Sequence, residues 1–174
     1  MSELYLARTN QKLNFARLHL DALAQAHASN AWSKHALIES YQESVLFHLA
    51  SALDSFLREI AERYRFDANA LQDMSDLARL FEGSGQESPE LTELQALQGD
   101  PKSWLARLQK AYAACWRVVA KAPQASASES LSEIHVMQLN PNHAEDPDVF
   151  QEYQLWLDAL RDLITRQREG MQEW

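Results

Sequence analysis

The chain has 174 residues, 46% of them hydrophobic, and its 16 Lys and Arg against 25 Asp and Glu leave a formal charge of −9. That length suits one domain, 1–174, with enough interior to fold without staples, and the single cysteine, Cys115, excludes an internal disulfide and fits a reducing compartment. The acid excess, with no dense Lys/Arg cluster, argues against nucleic acid, and no run of about 18 apolar residues is present to span a membrane.

Taken in order, Met1 to Asn30 reads as an amphipathic helix rather than a signal peptide, and Ser2 is placed to cap it. Leu6, Leu13, Leu20 and His27 recur at heptad spacing, with Thr9, Ala16 and Leu23 between them, which is one clear seam. Leu4, Phe15, Leu18 and Ala22 form a second apolar set on another side. A helix apolar on two sides is internal or lies at an interface. The short link at Asn30 to Ser33 makes the next helix its antiparallel neighbour.

The stretch of about 31–64 has no Gly and no Pro, and it is the central helix around which the rest is arranged. Ile38, Tyr41, Val45, Leu49, Ala52, Leu53, Phe56 and Ile60 share one side, widened by Leu46, Leu57 and Tyr64. Ser40, Ser44, Ser51, Ser55, Arg58 and Glu62 fall on a narrow polar face. Ala50, Ser51, Ala52 and Ser55 are small enough to admit a neighbouring backbone.

Beyond a turn at Phe66–Asp67, Asp67 or Asp73 caps a third helix ending near Glu82, and Gly83 to Ser88 is a loop. Ser88-Pro89 starts a short helix to about Gln98, closed by Gly99. Asp100-Pro101 starts the next, with Trp104, Leu105, Leu108, Tyr112, Cys115, Trp116 and Val119 on one face. That helix stops before Pro123. A Ser- and Ala-rich flexible connection follows at about 122–133, then a short extended segment near 134–139. Asp146-Pro147 opens the last helix, whose apolar face runs Val149, Tyr153, Trp156, Leu157, Leu160, Ile164, Met171.

Chemistry-bearing constellations are sparse. The six histidines include no HExxH and no pair at i, i+4. His27 and His35 flank the first turn, and His135, His143, Glu145 and Asp146 share one loop region; neither group has a metal site's spacing. His48 lies at the border of the central helix's faces, where it is either a general base in a cleft or a hydrogen-bonded core-edge residue. Cys115 sits in an apolar stripe, where thiols are inert. Arg117 falls opposite the apolar face and reads as solvated. The five tryptophans, Trp32, Trp104, Trp116, Trp156 and Trp174, read as core or interface anchors. No catalytic, cofactor-binding or metal residue is assigned, and no cofactor is expected.

Residues Ser40 to Tyr64, SYQESVLFHLASALDSFLREIAERY, resemble the central helix of uncharacterised helical proteins of pseudomonads and related bacteria. They are also similar to the long helices of HEPN-type domains, small bundles that often act as dimers. The resemblance implies a bundle rather than a nuclease, because no Arg here is followed by a His at the spacing that marks active HEPN ribonucleases.

The expectation is an all-α, antiparallel bundle of five to six helices, roughly 65–75% helical against the usual third. The functional expectation is a non-catalytic interaction or regulatory module of the bacterial cytoplasm, as a homodimer or with a protein partner. The alternative is an enzyme or small-ligand binder with a cleft beside the central helix.

Overall fold

A computed structural model describes residues 3–117 and 147–172. Its helices are α1 (Leu4–Ala28), α2 (Lys34–Arg63), α3 (Met74–Ser84), α4 (Pro89–Gly99), α5 (Trp104–Ala114) and α6 (Pro147–Gln172), with a 3-10 turn at Ala68–Ala70. Helix accounts for 83% of the described residues and no strand occurs among them. The expected connection at about 122–133 and the extended segment near 134–139 lie outside the described residues.

Most boundaries follow the local chemistry. Asp73 accepts from the backbone N–H of Ser75 and of Asp76, while Asp76 returns a bond to the N–H of Asp73, a closed capping box for α3. Ser88 and Ser103 accept from Leu91 N–H and Ala106 N–H at the starts of α4 and α5. Three ends differ from expectation. The third helix continues past Glu82 through Gly83 and stops where Gly85 turns left-handed at φ 67°, a conformation glycine adopts without a Cβ clash. The fifth ends at Ala114, so Trp116 leaves the apolar stripe and is exposed. At the first helix Glu3 stands at the N-cap, and Ser2 lies outside the described residues.

The core gathers on α2. Ile38, Val45, Leu49, Ala52, Phe56 and Ile60 have no measurable exposure, and Leu46, Leu53 and Leu57 are nearly as dry. Burying so many apolar side chains, each contributing about 1.5–3 kcal/mol, is the main force holding this helix in the centre. From α1 come Leu13, Ala16, Leu20 and Leu23 of the expected seam, though not its first member Leu6, which is exposed, and from α6 come Tyr153, Trp156, Leu157, Leu160 and Ile164.

Ring contacts fix the α1–α2 register. Phe15 meets His48 at 5.3 Å between centroids, and His19 meets both His48 at 4.9 Å and Tyr41 at 6.1 Å. Rising numbers on α1 face falling numbers on α2, so the pair is antiparallel. Helix α6 runs parallel to α2, since Arg168 binds Glu59 and Arg63 binds the carbonyl of Met171.

The polar face of the central helix is a packing face. Ser44, Ser51 and Ser55 share a side with His48, which meets α1, so this stripe is the seat of α1 rather than a solvated surface. Ser55 is buried, and Ser44 and Ser51 are half-buried. The hydroxyls of Ser44 and Ser55 donate to the carbonyls of Ser40 and Ser51, each at 2.8 Å. Satisfied within their own helix, they enter the contact without orphaned donors.

Candidate functional site

Two places concentrate polar chemistry. The first is on the outer side of the α1–α2 pair. Lys12 lies there with only 8% of its surface exposed, its ammonium 4.8 Å from the Phe47 ring centre and 6.0 Å from that of Phe15. Aromatic faces attract a cation through their quadrupole, which partly offsets the loss of water. His48 is enclosed by Phe15, His19 and Phe47. The Nδ1 atoms of His19 and His48 are buried without a hydrogen-bond partner.

This environment disfavours protonation. Burial first, and then the charges of His19, Lys12 and Arg8, push His48 down to about 4. Burial and the neighbouring Arg8 lower Lys12 as well. Every charge that shifts these two groups is cationic, so the cluster holds basic side chains without a carboxylate to balance them.

Beside the cluster, Leu18 is 46% exposed and Phe47 45%, and Leu4 is more open still. Phe15 and Ala22 are half-buried. The second apolar set of the first helix therefore remains on the surface. The competing possibility, that the final helix folds back to cover it, does not hold: Tyr153, Trp156 and Leu160 are buried in the core while Leu4 and Leu18 stay open.

The second place is a cavity of about 340 Å³ at the end of the bundle, lined by Leu6, Glu62, Arg63, Arg168 and Met171 among others. Glu59, on its wall, is held by Arg168 through two bonds of 2.6 and 2.8 Å. Burial and the adjacent Glu59 raise the pKa of the Glu62 carboxyl.

The other sequence candidates are dispersed. His35 faces Glu39 at 3.5 Å in the first turn of α2, and His27 is in the last turn of α1. Cys115 is half-buried, donates to the carbonyl of Ala111 at 3.5 Å, and has its thiol pKa raised by burial. Arg117 is exposed. Of the tryptophans, Trp156 is core and Trp104 packs against the core, whereas Trp32 and Trp116 are exposed, Trp116 meeting Tyr112 edge to face at 6.1 Å. His135, His143, Glu145, Asp146 and Trp174 lie outside the described residues. Among the described residues no group of three or more His, Cys, Asp or Glu is placed to hold a metal, and no helix is long and apolar enough to cross a membrane.

The two places also divide the ingredients of acid–base chemistry. The His48 cluster has imidazoles without a carboxylate; the cavity has carboxylates and guanidiniums without an imidazole. A family model described as a family of unknown function, DUF6586, matches residues 1–174. The chain belongs to this family. No curated protein and no solved structure matches it. Membership in DUF6586 brings no activity with it, so function has to be argued from the surface.

Proposed function

We propose that this member of DUF6586 is a non-catalytic interaction module of the bacterial cytoplasm that docks a partner protein on the outer face of α1 and α2. The observation that carries the reading is the apolar group Phe15, Leu18 and Phe47, of which Leu18 and Phe47 are nearly half exposed, beside Lys12 and Arg8. Large apolar side chains grouped on one face, rimmed by charge, are characteristic of binding surfaces. A symmetric homodimer through the same face is the competing occupant. Phe47→Glu places a carboxylate in the apolar group at an exposed position, so it spares the core. Affinity capture with the wild-type chain and this variant, joined to sedimentation at micromolar concentration, tests the proposal. A specific protein retained by the wild type and lost by the folded variant supports it. Equal retention by both chains overturns it.

A second reading, a small-ligand site beside the C-terminal half of α2, draws on the cavity and its buried-edge carboxyl, Glu62. Small amines fit its acidic wall, and Leu6 and Met171 offer apolar contact. Thermal-shift screening with alkyl amines, repeated on Glu62→Gln, checks it. A stabilisation that survives the substitution removes Glu62 from the site.

A further inference from the structure

The cavity at the end of the bundle has walls of both signs and an apolar side. Leu6 comes from α1, Glu62 and Arg63 from α2, and Arg168 and Met171 from α6, around a volume of about 340 Å³. Glu59 and Arg168 satisfy each other through two bonds, and Arg168 is tied to Asn10 as well. Glu62 and Arg63 are not matched in this way. Glu62 is half-buried, and among the described residues the charge that acts on it is that of Glu59, another carboxylate. The bond described for Arg63 goes to the carbonyl of Met171, a neutral acceptor that takes one N–H of the guanidinium fork. One carboxylate and one guanidinium, consecutive on α2, thus line the same small cavity as Leu6 and Met171.

Resting on the reading of this cavity as a small-ligand site, we propose that its ligand is a free α-amino acid with an apolar side chain. The ammonium group meets Glu62, the carboxylate meets Arg63, and the side chain lies against Leu6 and Met171. Each charge of such a ligand leaves water for a partner of opposite sign, which is what makes partial burial of a charge tolerable. A simple amine satisfies Glu62 but makes no use of the guanidinium beside it. The volume is near the low end of the roughly 300–1,000 Å³ typical of small-molecule sites, so it suits an amino acid better than a nucleotide or a peptide. A ligand held there touches α1, α2 and α6, the helices that Arg168 already joins through Glu59 and Asn10. Binding therefore tightens the end of the bundle and raises the melting temperature.

The experiment titrates the full chain with L-leucine by calorimetry. Its controls are isoamylamine, which is leucine without the carboxylate, and isocaproate, which is leucine without the ammonium group. L-leucine is expected to bind about tenfold more tightly than either. Glu62→Gln, a change of charge without change of size at a half-buried position, is expected to lower L-leucine to the affinity of isocaproate. Arg63→Gln is expected to lower it to that of isoamylamine. Should that variant lose its fold, the comparison of L-leucine with isoamylamine on the wild-type chain still tests the carboxylate contact. Equal affinity for L-leucine and isoamylamine overturns the amino acid while leaving an amine site in place. Equal affinity for L-leucine and isocaproate overturns the contact with Glu62, and the amine reading with it. L-leucine binding that Glu62→Gln leaves unchanged puts the ligand outside this cavity and overturns the proposal. No binding of any of the three at millimolar concentration overturns both the amino acid and the small-ligand reading on which it rests.

Discussion

Glu59 of α2 and Arg168 of α6 meet through two parallel hydrogen bonds, Nε to Oε1 at 2.6 Å and Nη2 to Oε2 at 2.8 Å. The remaining nitrogen, Nη1, donates to Asn10 of α1 at 2.9 Å, so one guanidinium joins three helices. The planar fork of arginine fits a carboxylate edge in a way that lysine cannot.

Arg168→Met should therefore destabilise more than a surface ion pair would. It leaves the Glu59 carboxylate nearly buried and unpaired, a loss of about 3 kcal/mol. The double variant with Glu59→Leu should recover much of this, because both charges then leave the interior. Denaturant midpoints of the two singles and the double check the coupling; additive losses would mean that the pair does not act as a unit.

Phe56 is completely buried under α2, and Phe56→Ala should cost about 3–5 kcal/mol through the cavity it opens. Ser51→Ala, half-buried on the side facing α1, should stay within about 0.5 kcal/mol. Paired melting curves check the phase of the helix: comparable losses would contradict the placement of both residues.

The core face of α2 was legible because apolar residues at helical spacing have only one economical place to go. Most of the seam of α1 was legible for the same reason, and the capped or proline-marked starts of α3 and α4 from local chemistry, whereas α5, expected to open at Asp100-Pro101, begins at Trp104 behind Ser103. Ser51 and Ser55 were legible as small enough to admit a neighbour, but how the serine hydroxyls are satisfied there was not. Periodicity separates apolar from polar, but it cannot distinguish a solvated serine from one whose hydroxyl bonds to the preceding turn and slides under a neighbour, as Ser55 does. Glu59 and Arg168 are far apart in the chain, and nothing local signals that two charged residues will meet. His48 was placed correctly at a boundary, but its neighbours Phe15, His19 and Lys12 come from α1, so the cationic surroundings emerge only once the hairpin's register is known.

The end of α2 offers an engineering test. Phe66 N–H bonds to the Ala61 carbonyl at 2.8 Å and Arg65 N–H to that of Glu62 at 3.1 Å, the double closure of a Schellman cap. Arg65 occupies the left-handed position, φ 65°, which glycine adopts at no steric cost. Arg65→Gly should raise stability by about 0.5–1 kcal/mol, since Arg65 is exposed and the left-handed conformation disfavours its Cβ. An unchanged or lowered melting temperature would show that the arginine side chain contributes more than its backbone strain removes.

The last prediction concerns pH. The unfolded chain protonates His48 near the ordinary imidazole value of 6.5, whereas the folded chain holds it neutral down to about 4. Between those limits the unfolded state binds more protons, so stability must fall as pH drops and must rise again on return. Every group that shifts the ring pushes the same way: burial, His19, Lys12 and Arg8. Glu93 and Asp73 are held low by Arg166 and Ser75, and their contributions disappear at more acidic pH, below the ordinary carboxylate range; Glu62 and Asp54, raised by burial, act in the opposite sense and do so alike with and without His48. With allowance for partial solvent screening, the His48 share between about pH 7 and about pH 5 is on the order of 1 kcal/mol. His48→Gln removes the titration while keeping a polar side chain. Its stability should depend on pH less steeply than the wild type across this window, whatever its absolute level. Parallel slopes for the two proteins would place the proton uptake at another site and remove His48 as the pH-sensitive group of the α1–α2 face.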